Sequence, residues 1–253
     1  MKNFPLWVIG ADGSGALKIA AGGNTDFGCS ISGYSWSPDA MRLVYSDGVV
    51  AGCGAQKDLV TIGRDSSASF RVTADTGVVE ISPAWSPDGE WIAFGTIGFA
   101  ETLEMIRPHG TDRTPLADVV PRYDSSPVWS ADGTRLAFDS DSGLIVADVT
   151  GGQVRTLFPY HVAAFVWSSD GLRIAFGSES PAGLFIADVA SGAVQSLFPE
   201  KVTGLAWSPD GTRIAFAGGA SGSQEIYVIN ADGTNAQPVT DVPAAYFTPI
   251  WLP

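Results

Sequence analysis

Short apolar runs alternate with turn-forming residues along the whole chain, and no segment longer than about ten residues has a helical period. Val, Ile, Leu, Phe and Ala fill the runs, whereas Gly, Pro, Asp and Ser fill the gaps between them. The clearest stretch predicts four successive strands at 205–207, 213–217, 225–229 and 237–240. This pattern is typical of an all-β chain made of short strands and tight turns.

The four-strand pattern recurs around a repeated phrase, Trp-Ser-Pro-Asp-Gly, which is followed by an apolar run that ends in an aromatic residue. The repeats are centred on Trp36, Trp85, Trp129, Trp167, Trp207 and Trp251, with spacings of 49, 44, 38, 40 and 44 residues. The other repeats predict third strands at 58–62, 103–106, 144–147 and 184–187. A period of this length predicts a propeller of four-stranded blades.

The chain begins out of phase with its repeats. Residues 6–13 match residues 226–233, so the N-terminus supplies a third strand and the C-terminus a first strand. Pairing the two ends in one blade would close a six-bladed ring and remove its exposed edges. The composite blade lacks a second strand, which leaves two interpretations: a three-stranded blade, or a chain cut from a longer protein. We therefore expect residues 1–253 to form a single propeller domain.

The phrase Trp-Ser-Pro-Asp-Gly followed by Ile-Ala-Phe resembles the repeats of the TolB-like six-bladed propeller family over nearly the whole chain. The resemblance implies a binding scaffold, since this family includes a periplasmic component that binds other proteins. Similar propellers form the gating domain of prolyl-oligopeptidase-type peptidases. The resemblance to the TolB-like family also implies a periplasmic or extracellular location. Residues 1–10 do not read as a signal peptide, so a cytoplasmic location stays open.

Composition narrows the range of partners. The 253 residues are 45% hydrophobic and 16% charged, and 14 Lys and Arg against 27 Asp and Glu give a net charge of −13. An acidic surface repels phosphate, so we expect no nucleic-acid partner and no anionic membrane surface. No apolar run reaches the length of a membrane helix, so we expect no membrane insertion. We expect a monomer.

Motifs for catalysis are missing from the sequence. His109 and His161 lie in different repeats, and no Gly-x-Ser-x-Gly, Gly-x-x-x-x-Gly-Lys, Cys-x-x-Cys or His-Glu-x-x-His occurs. We therefore expect a protein without enzymatic activity, metal or cofactor. Cys29 and Cys53 both fall on the loop side of one blade, and the sequence leaves a disulfide between them open.

Two repeated residue types have structural explanations. The turn aspartates are expected to bond their own turns rather than to bind an ion; they are Asp39, Asp88, Asp132, Asp170 and Asp210. The repeated tryptophans are expected to pack between neighbouring blades. Residues 139–143 resemble part of a calcium loop without its downstream glutamate, so we expect a solvated hairpin loop there.

The predicted binding surface comprises the blade-to-blade connections, which share a face with the loops between second and third strands. Variable loops on a rigid scaffold are where binding usually resides, and Tyr and Arg are common anchors. The candidate residues are Asp26, Phe27, Arg122, Tyr123, Asp124, Tyr160, His161, Glu200, Lys201, Tyr246 and Phe247. We expect a protein or peptide partner. The alternatives are a substrate-gating domain of a hydrolase and a small-ligand or carbohydrate-binding propeller.

Overall fold

The computed structural model describes residues 6–9, 15–20, 33–48, 57–98, 101–122, 125–219, 224–241 and 248–251. Within these ranges all the elements of regular secondary structure are β strands, as the pattern of apolar runs predicts. The chain divides into two compact units. The first contains Met1–Trp129 and Ala147–Gln153, and the second contains Ser130–Val146 and Val154–Pro253.

The first ten strands belong to the first unit. An antiparallel pair opens the chain, β1 (Leu6–Val8) with β2 (Leu17–Ala20). The next eight strands form one sheet of two four-stranded groups: β3 (Tyr34–Trp36), β4 (Arg42–Gly48), β5 (Lys57–Gly63), β6 (Phe70–Arg71), β7 (Val79–Trp85), β8 (Ile92–Ile97), β9 (Thr102–Ile106) and β10 (Thr114–Ala117). One parallel pairing, Lys57 with Val79, joins the groups. The groups correspond to the first two complete blades predicted from the repeats.

Three more four-stranded sheets follow, each with its strands in chain order. They are β11 (Val128–Trp129), β12 (Arg135–Ser140), β13 (Gly143–Asp148) and β14 (Val154–Phe158); β15 (Val162–Trp167), β16 (Arg173–Glu179), β17 (Ala182–Asp188) and β18 (Val194–Phe198); and β19 (Val202–Trp207), β20 (Arg213–Gly218), β21 (Glu225–Asn230) and β22 (Gln237–Pro238). The predicted third strands correspond to β5, β9, β13 and β17. The four-strand interpretation is confirmed for the five complete repeats.

The C-terminal strand prediction needs a correction. Residues 248–251 are described, but they form no strand. Pro249 lies among them, and proline has no N–H to donate to a ladder. The predicted sharing of one blade by the two chain ends stays a prediction.

The second strand of each repeat carries the centre of the core. Phe94, Phe138, Phe176 and Phe216 occupy the same position of four repeats, and each is fully buried. In the second unit Phe176 stacks on Phe185 with ring centroids 5.4 Å apart, and Phe216 stacks on Tyr227 at the same separation. These strands are covered on both faces, which explains why they appear in the sequence as continuous apolar runs.

The turn between first and second strands is held by one serine and one aspartate. In the last repeat the Ser208 hydroxyl donates to Asp210 at 2.5 Å, and Asp210 also accepts the N–H of Thr212 at 3.0 Å. Ser208 accepts the N–H of Arg213 at 2.9 Å, and Gly211 takes a φ of +67°. The same serine–aspartate bond recurs at Asp39, Asp88, Asp132 and Asp170. The turn function predicted for the five aspartates is confirmed.

These bonds make the turns sensitive to acid. Hydrogen bonds from Ser208 and Thr212 lower the pKa of Asp210 from 3.8 to about 2. A carboxyl whose pKa is lowered by folding contributes stability above its ordinary pKa and loses that contribution as the pH falls through the folded value. We expect Asp210→Asn to reduce the urea midpoint at neutral pH, and the difference from wild type to vanish between pH 4 and pH 2. A difference independent of pH would contradict this, and Ser208→Ala should reduce the pH dependence.

The repeated tryptophans join successive sheets. Trp85, Trp129, Trp167 and Trp207 are at most 8% exposed. The Trp129 indole N–H donates to the carbonyl of Ala84 at 3.1 Å, the residue before the preceding repeat's tryptophan. Their predicted packing is therefore confirmed. Trp36 departs from the prediction because it is 38% exposed, in a three-residue first strand whose neighbouring Tyr34 is also exposed.

In the first, fourth and fifth repeats an arginine covers the tryptophan of the next repeat, whereas the second repeat has Trp91 at this position. In the second unit the Arg173 guanidinium lies 4.9 Å from the Trp207 ring centroid and donates to the carbonyl of Gly211 at 3.2 Å. Arg213 lies 5.0 Å from the Trp251 ring, and that indole donates to the carbonyl of Ala206 at 3.0 Å. Trp251 thus makes the contacts of a repeat tryptophan even though no strand carries it. A cation over an indole face adds to the apolar contact.

Candidate functional site

Two blade-to-blade connections of the second unit present most of the described candidate residues. The connection from β14 to β15 contains Tyr160 and His161, and the connection from β18 to β19 contains Glu200 and Lys201 at the same positions. Tyr160 is 52% exposed, His161 and Glu200 are also exposed, and Lys201 is half-buried. The sequence -Leu-Phe-Pro-x-x-Val- repeats in both connections, so the backbone follows the same path twice.

His161 is positioned by a buried carboxylate. Its Nδ1 hydrogen-bonds to Oδ2 of Asp139, and Oδ1 of Asp139 accepts the N–H of Val162 at 3.2 Å. The Asp139 side chain is 1% exposed, whereas that of His161 is 50% exposed. The expected hairpin is present between β12 and β13, but Asp139 is not in a solvated loop. Asp139 therefore fixes the orientation of the exposed imidazole.

Lys201 forms the second pair of this edge. Its Nζ lies 2.5 Å from Oε1 of Glu179, at the end of β16. The Lys201 hydrogen bond and charge, followed by the charge of His161, lower the pKa of Glu179. The preceding residue, Ser178, donates to the carbonyl of His161 at 3.3 Å, so Glu179 lies near both His161 and Lys201. We name the surface formed by Tyr160, His161, Glu179, Glu200 and Lys201 the connection edge.

Aromatic packing holds the backbone of the connection edge in place. Phe158 contacts Phe176 at 4.8 Å between centroids and meets Tyr160 edge-to-face at 5.3 Å. A Cβ on Gly143 would overlap the carbonyl oxygen of Phe158, so the start of β13 lies directly against this connection. The exposed Tyr160 ring is thus carried by a backbone that this packing holds in place.

A second tyrosine, Tyr227, packs beside the connection that carries Glu200. Burial, followed by the charges of Glu225 and Glu200, raises the pKa of Tyr227. Tyr227 packs on Phe198, with centroids 5.1 Å apart, just before the connection that carries Glu200. Glu225 lies beside the connection edge, because it pairs with Gly218 and Gly218 pairs with Val202, the residue after Lys201.

The other candidates are not brought to this edge by the described residues. Arg122 lies half-buried in the first unit between β10 and β11, and its carbonyl accepts the N–H of Ser125 at 3.0 Å. The remaining candidates lie outside the described residues: Asp26, Phe27, Tyr123, Asp124, Tyr246 and Phe247. Cys29 and Cys53 lie outside them as well.

The sequence interpretation missed Asp139 and Glu179. One signal was present, because Asp139 stands where the next two repeats have Gly177 and Ala217. A charged residue at a position that is otherwise small and buried indicates a specific partner. Only the fold shows that this partner is His161, twenty-two positions further along the chain.

A charged cluster in the first unit is an alternative site. Arg113 contacts Asp75, Glu104 and Glu80, the last at 3.3 Å. Burial raises the pKa of Glu80 to about 7, although the Thr73 hydrogen bond and the Arg113 charge lower it. Because Glu80 has no exposed surface and is bonded to its own unit, this cluster ties strands together rather than presenting a group to a ligand.

Within the described residues, no group of three or more His, Cys, Asp or Glu side chains is arranged to hold a metal ion. The same part of the chain has no helix long and apolar enough to cross a bilayer.

Several solved structures are similar to this chain in fold. A structure of TolB from Acinetobacter baumannii is 20% identical, with a TM-score of 0.58, over 90% of this chain and 57% of that one. An oligogalacturonate lyase in complex with manganese is 15% identical, with a TM-score of 0.63, over 84% of this chain and 65% of that one. A putative TolB from Agrobacterium tumefaciens is 18% identical, with a TM-score of 0.55, over 85% of this chain and 82% of that one.

No protein-family model matches the sequence, and no curated protein matches it. This chain spans less than two thirds of the first two structures. At these identities the similarity shows the fold alone. The chain has the TolB-like, six-bladed propeller fold that its repeats predict.

Proposed function

We propose that this chain is a non-catalytic propeller scaffold, a single domain over residues 1–253, that binds a protein or peptide at the connection edge. The observation that carries the proposal is an exposed Tyr160 next to the Asp139–His161 pair on one connection, with the Glu179–Lys201 pair on the following connection. Arg122 and the candidates outside the described residues are proposed contributors to the same function on the other connections.

The chemistry of the edge suits a polypeptide partner. A tyrosine has few rotatable bonds, so burying an exposed Tyr160 costs little conformational entropy. The Asp139–His161 and Glu179–Lys201 pairs provide oriented donors and acceptors without large rearrangement. A large aromatic surrounded by fixed polar groups is typical of the centre of a protein interface.

The Asp139–His161 pair also favours a second candidate function, binding of a small ligand or carbohydrate. An imidazole oriented by a carboxylate can accept a proton from a bound molecule. The oligogalacturonate lyase with the same fold suggests an oligosaccharide, and the negative charge of this chain favours a neutral one as the first ligand to test. A thermal shift with a neutral oligosaccharide that is abolished by His161→Ala would favour this candidate.

Replacing both Tyr160 and His161 by alanine is expected to weaken partner binding at least about tenfold, because truncating an interface anchor usually costs more than 1.4 kcal/mol. The wild-type chain and the variant are used to capture proteins from an extract of the source cell. A captured protein is identified by mass spectrometry, purified and titrated against both.

The matched control is Tyr34→Ala with His109→Ala, which removes an exposed tyrosine and an exposed histidine elsewhere. Equal binding by the two double variants would contradict the proposal. If only the Tyr160/His161 variant loses its circular dichroism spectrum, these side chains are structural and the proposed site is wrong.

A further inference from the structure

We infer that the partner of the connection edge is a basic polypeptide segment that presents arginine side chains to Tyr160 and to the adjacent carboxylates. This inference rests on the proposed function and specifies the chemistry of its partner. It follows from two independent features of the edge, its charge and its exposed aromatic ring.

The charge of the edge is negative. Four carboxylates with exposed surface belong to the second-to-third loops, to the connections or to the strand ends beside them: Asp141, Glu179, Glu200 and Glu225. Lys201 supplies a positive charge there, and His161 is ionisable. The whole chain carries −13, so its long-range field attracts the same kind of partner. An acidic surface excludes phosphate-rich partners and is complementary to a cationic peptide.

Glu179 keeps hydrogen-bond acceptor positions for a partner. An ionised carboxylate offers about four acceptor positions. Lys201 occupies one oxygen of Glu179, which is 57% exposed. A guanidinium could therefore bond Glu179 without displacing Lys201. Bidentate pairing of this kind is stronger and more directional than the contact that a lysine would make.

The exposed ring distinguishes arginine from other cations. Tyr160 is 52% exposed, and Phe158 holds it edge-to-face from below. A guanidinium stacks on such a ring while its N–H groups reach nearby carboxylates. Charge alone would attract any cation, whereas an aromatic face beside carboxylates favours arginine over lysine.

The test uses the full chain and three fluorescent peptides of equal length, which differ only in having Arg, Lys or Glu at their charged positions. Fluorescence anisotropy at low and moderate salt gives the affinities. We expect binding in the order Arg, Lys, Glu, and weaker binding of the Arg peptide as salt rises. Glu179→Gln with Glu200→Gln should weaken the Arg peptide at least about tenfold.

The matched control removes two carboxylates at the other edge of the same sheets. Asp188→Asn with Asp232→Asn changes the net charge equally, and asparagine retains the oxygen that accepts the turn hydrogen bonds. If both double variants weaken the Arg peptide equally, the attraction is a general field effect and the inference is wrong. Equal binding of the Arg and Lys peptides, or no effect of Tyr160→Ala, would also overturn it.

The two proposals fail differently. A captured partner that depends on Tyr160 and His161 but not on Glu179 and Glu200 would support the proposed function and overturn the arginine inference. A partner that is insensitive to all four positions would overturn both.

Discussion

Replacing Trp129 by alanine is expected to lower the free energy of unfolding by about 3–5 kcal/mol, the range for truncating a large buried aromatic. The side chain is 8% exposed, and its indole N–H donates to the carbonyl of Ala84 at 3.1 Å. The change would open a cavity between two sheets and leave a buried carbonyl without its donor, and both effects lower stability. Urea unfolding followed by circular dichroism measures it.

Trp36 provides the matched control, because it occupies the same position of the first repeat but is 38% exposed. We expect Trp36→Ala to cost about 1 kcal/mol, in proportion to the smaller area that it buries. A cost below about 0.5 kcal/mol for Trp129→Ala would be that of a surface residue and would contradict the assigned packing of the repeats.

Replacing Gly143 by alanine is expected to cost about 2–5 kcal/mol, because two unfavourable effects combine. Gly143 has a φ of +100°, a conformation that side chains rarely adopt. The added Cβ would also overlap the carbonyl oxygen of Phe158, which belongs to the backbone and cannot turn aside. The connection carrying Tyr160 and His161 would have to move, so partner binding should fall together with stability.

Gly152→Ala separates the two effects. Gly152 has a φ of +62°, and nothing lies within 4 Å of the Cβ that alanine would add. We expect this change to cost only the conformational strain, about 1 kcal/mol. Equal costs for the two variants would show that the contact with Phe158 contributes nothing.

The fold was predictable because the same local interactions recur from repeat to repeat. Ser208 and Asp210 bond within their own turn, and Phe216 follows at a fixed distance in the sequence. Interactions of this range can be recognised in one repeat and checked in the others. The turn aspartates, the buried tryptophans and the third strands were therefore all predicted correctly.

The candidate site was predictable only in part. Position in the repeat identified Tyr160, His161, Glu200 and Lys201 as connection residues, since a connection follows every fourth strand. Their partners Asp139 and Glu179 come from the ends of other strands, and no local pattern specifies such a pair. The exposure of Trp36 was missed for a related reason, because it depends on what covers a strand and not on the motif itself.

The contacts between an arginine and the next repeat's tryptophan all run in the same direction along the chain. Arg173 reaches forward to Trp207, Arg213 reaches forward to Trp251, and the indole N–H groups of these tryptophans point back to Val166 and Ala206. These two junctions therefore use the same few atoms, as units with nearest-neighbour coupling do. Duplicating a repeat that carries this arginine would reproduce the same arginine–tryptophan contact at the new junction.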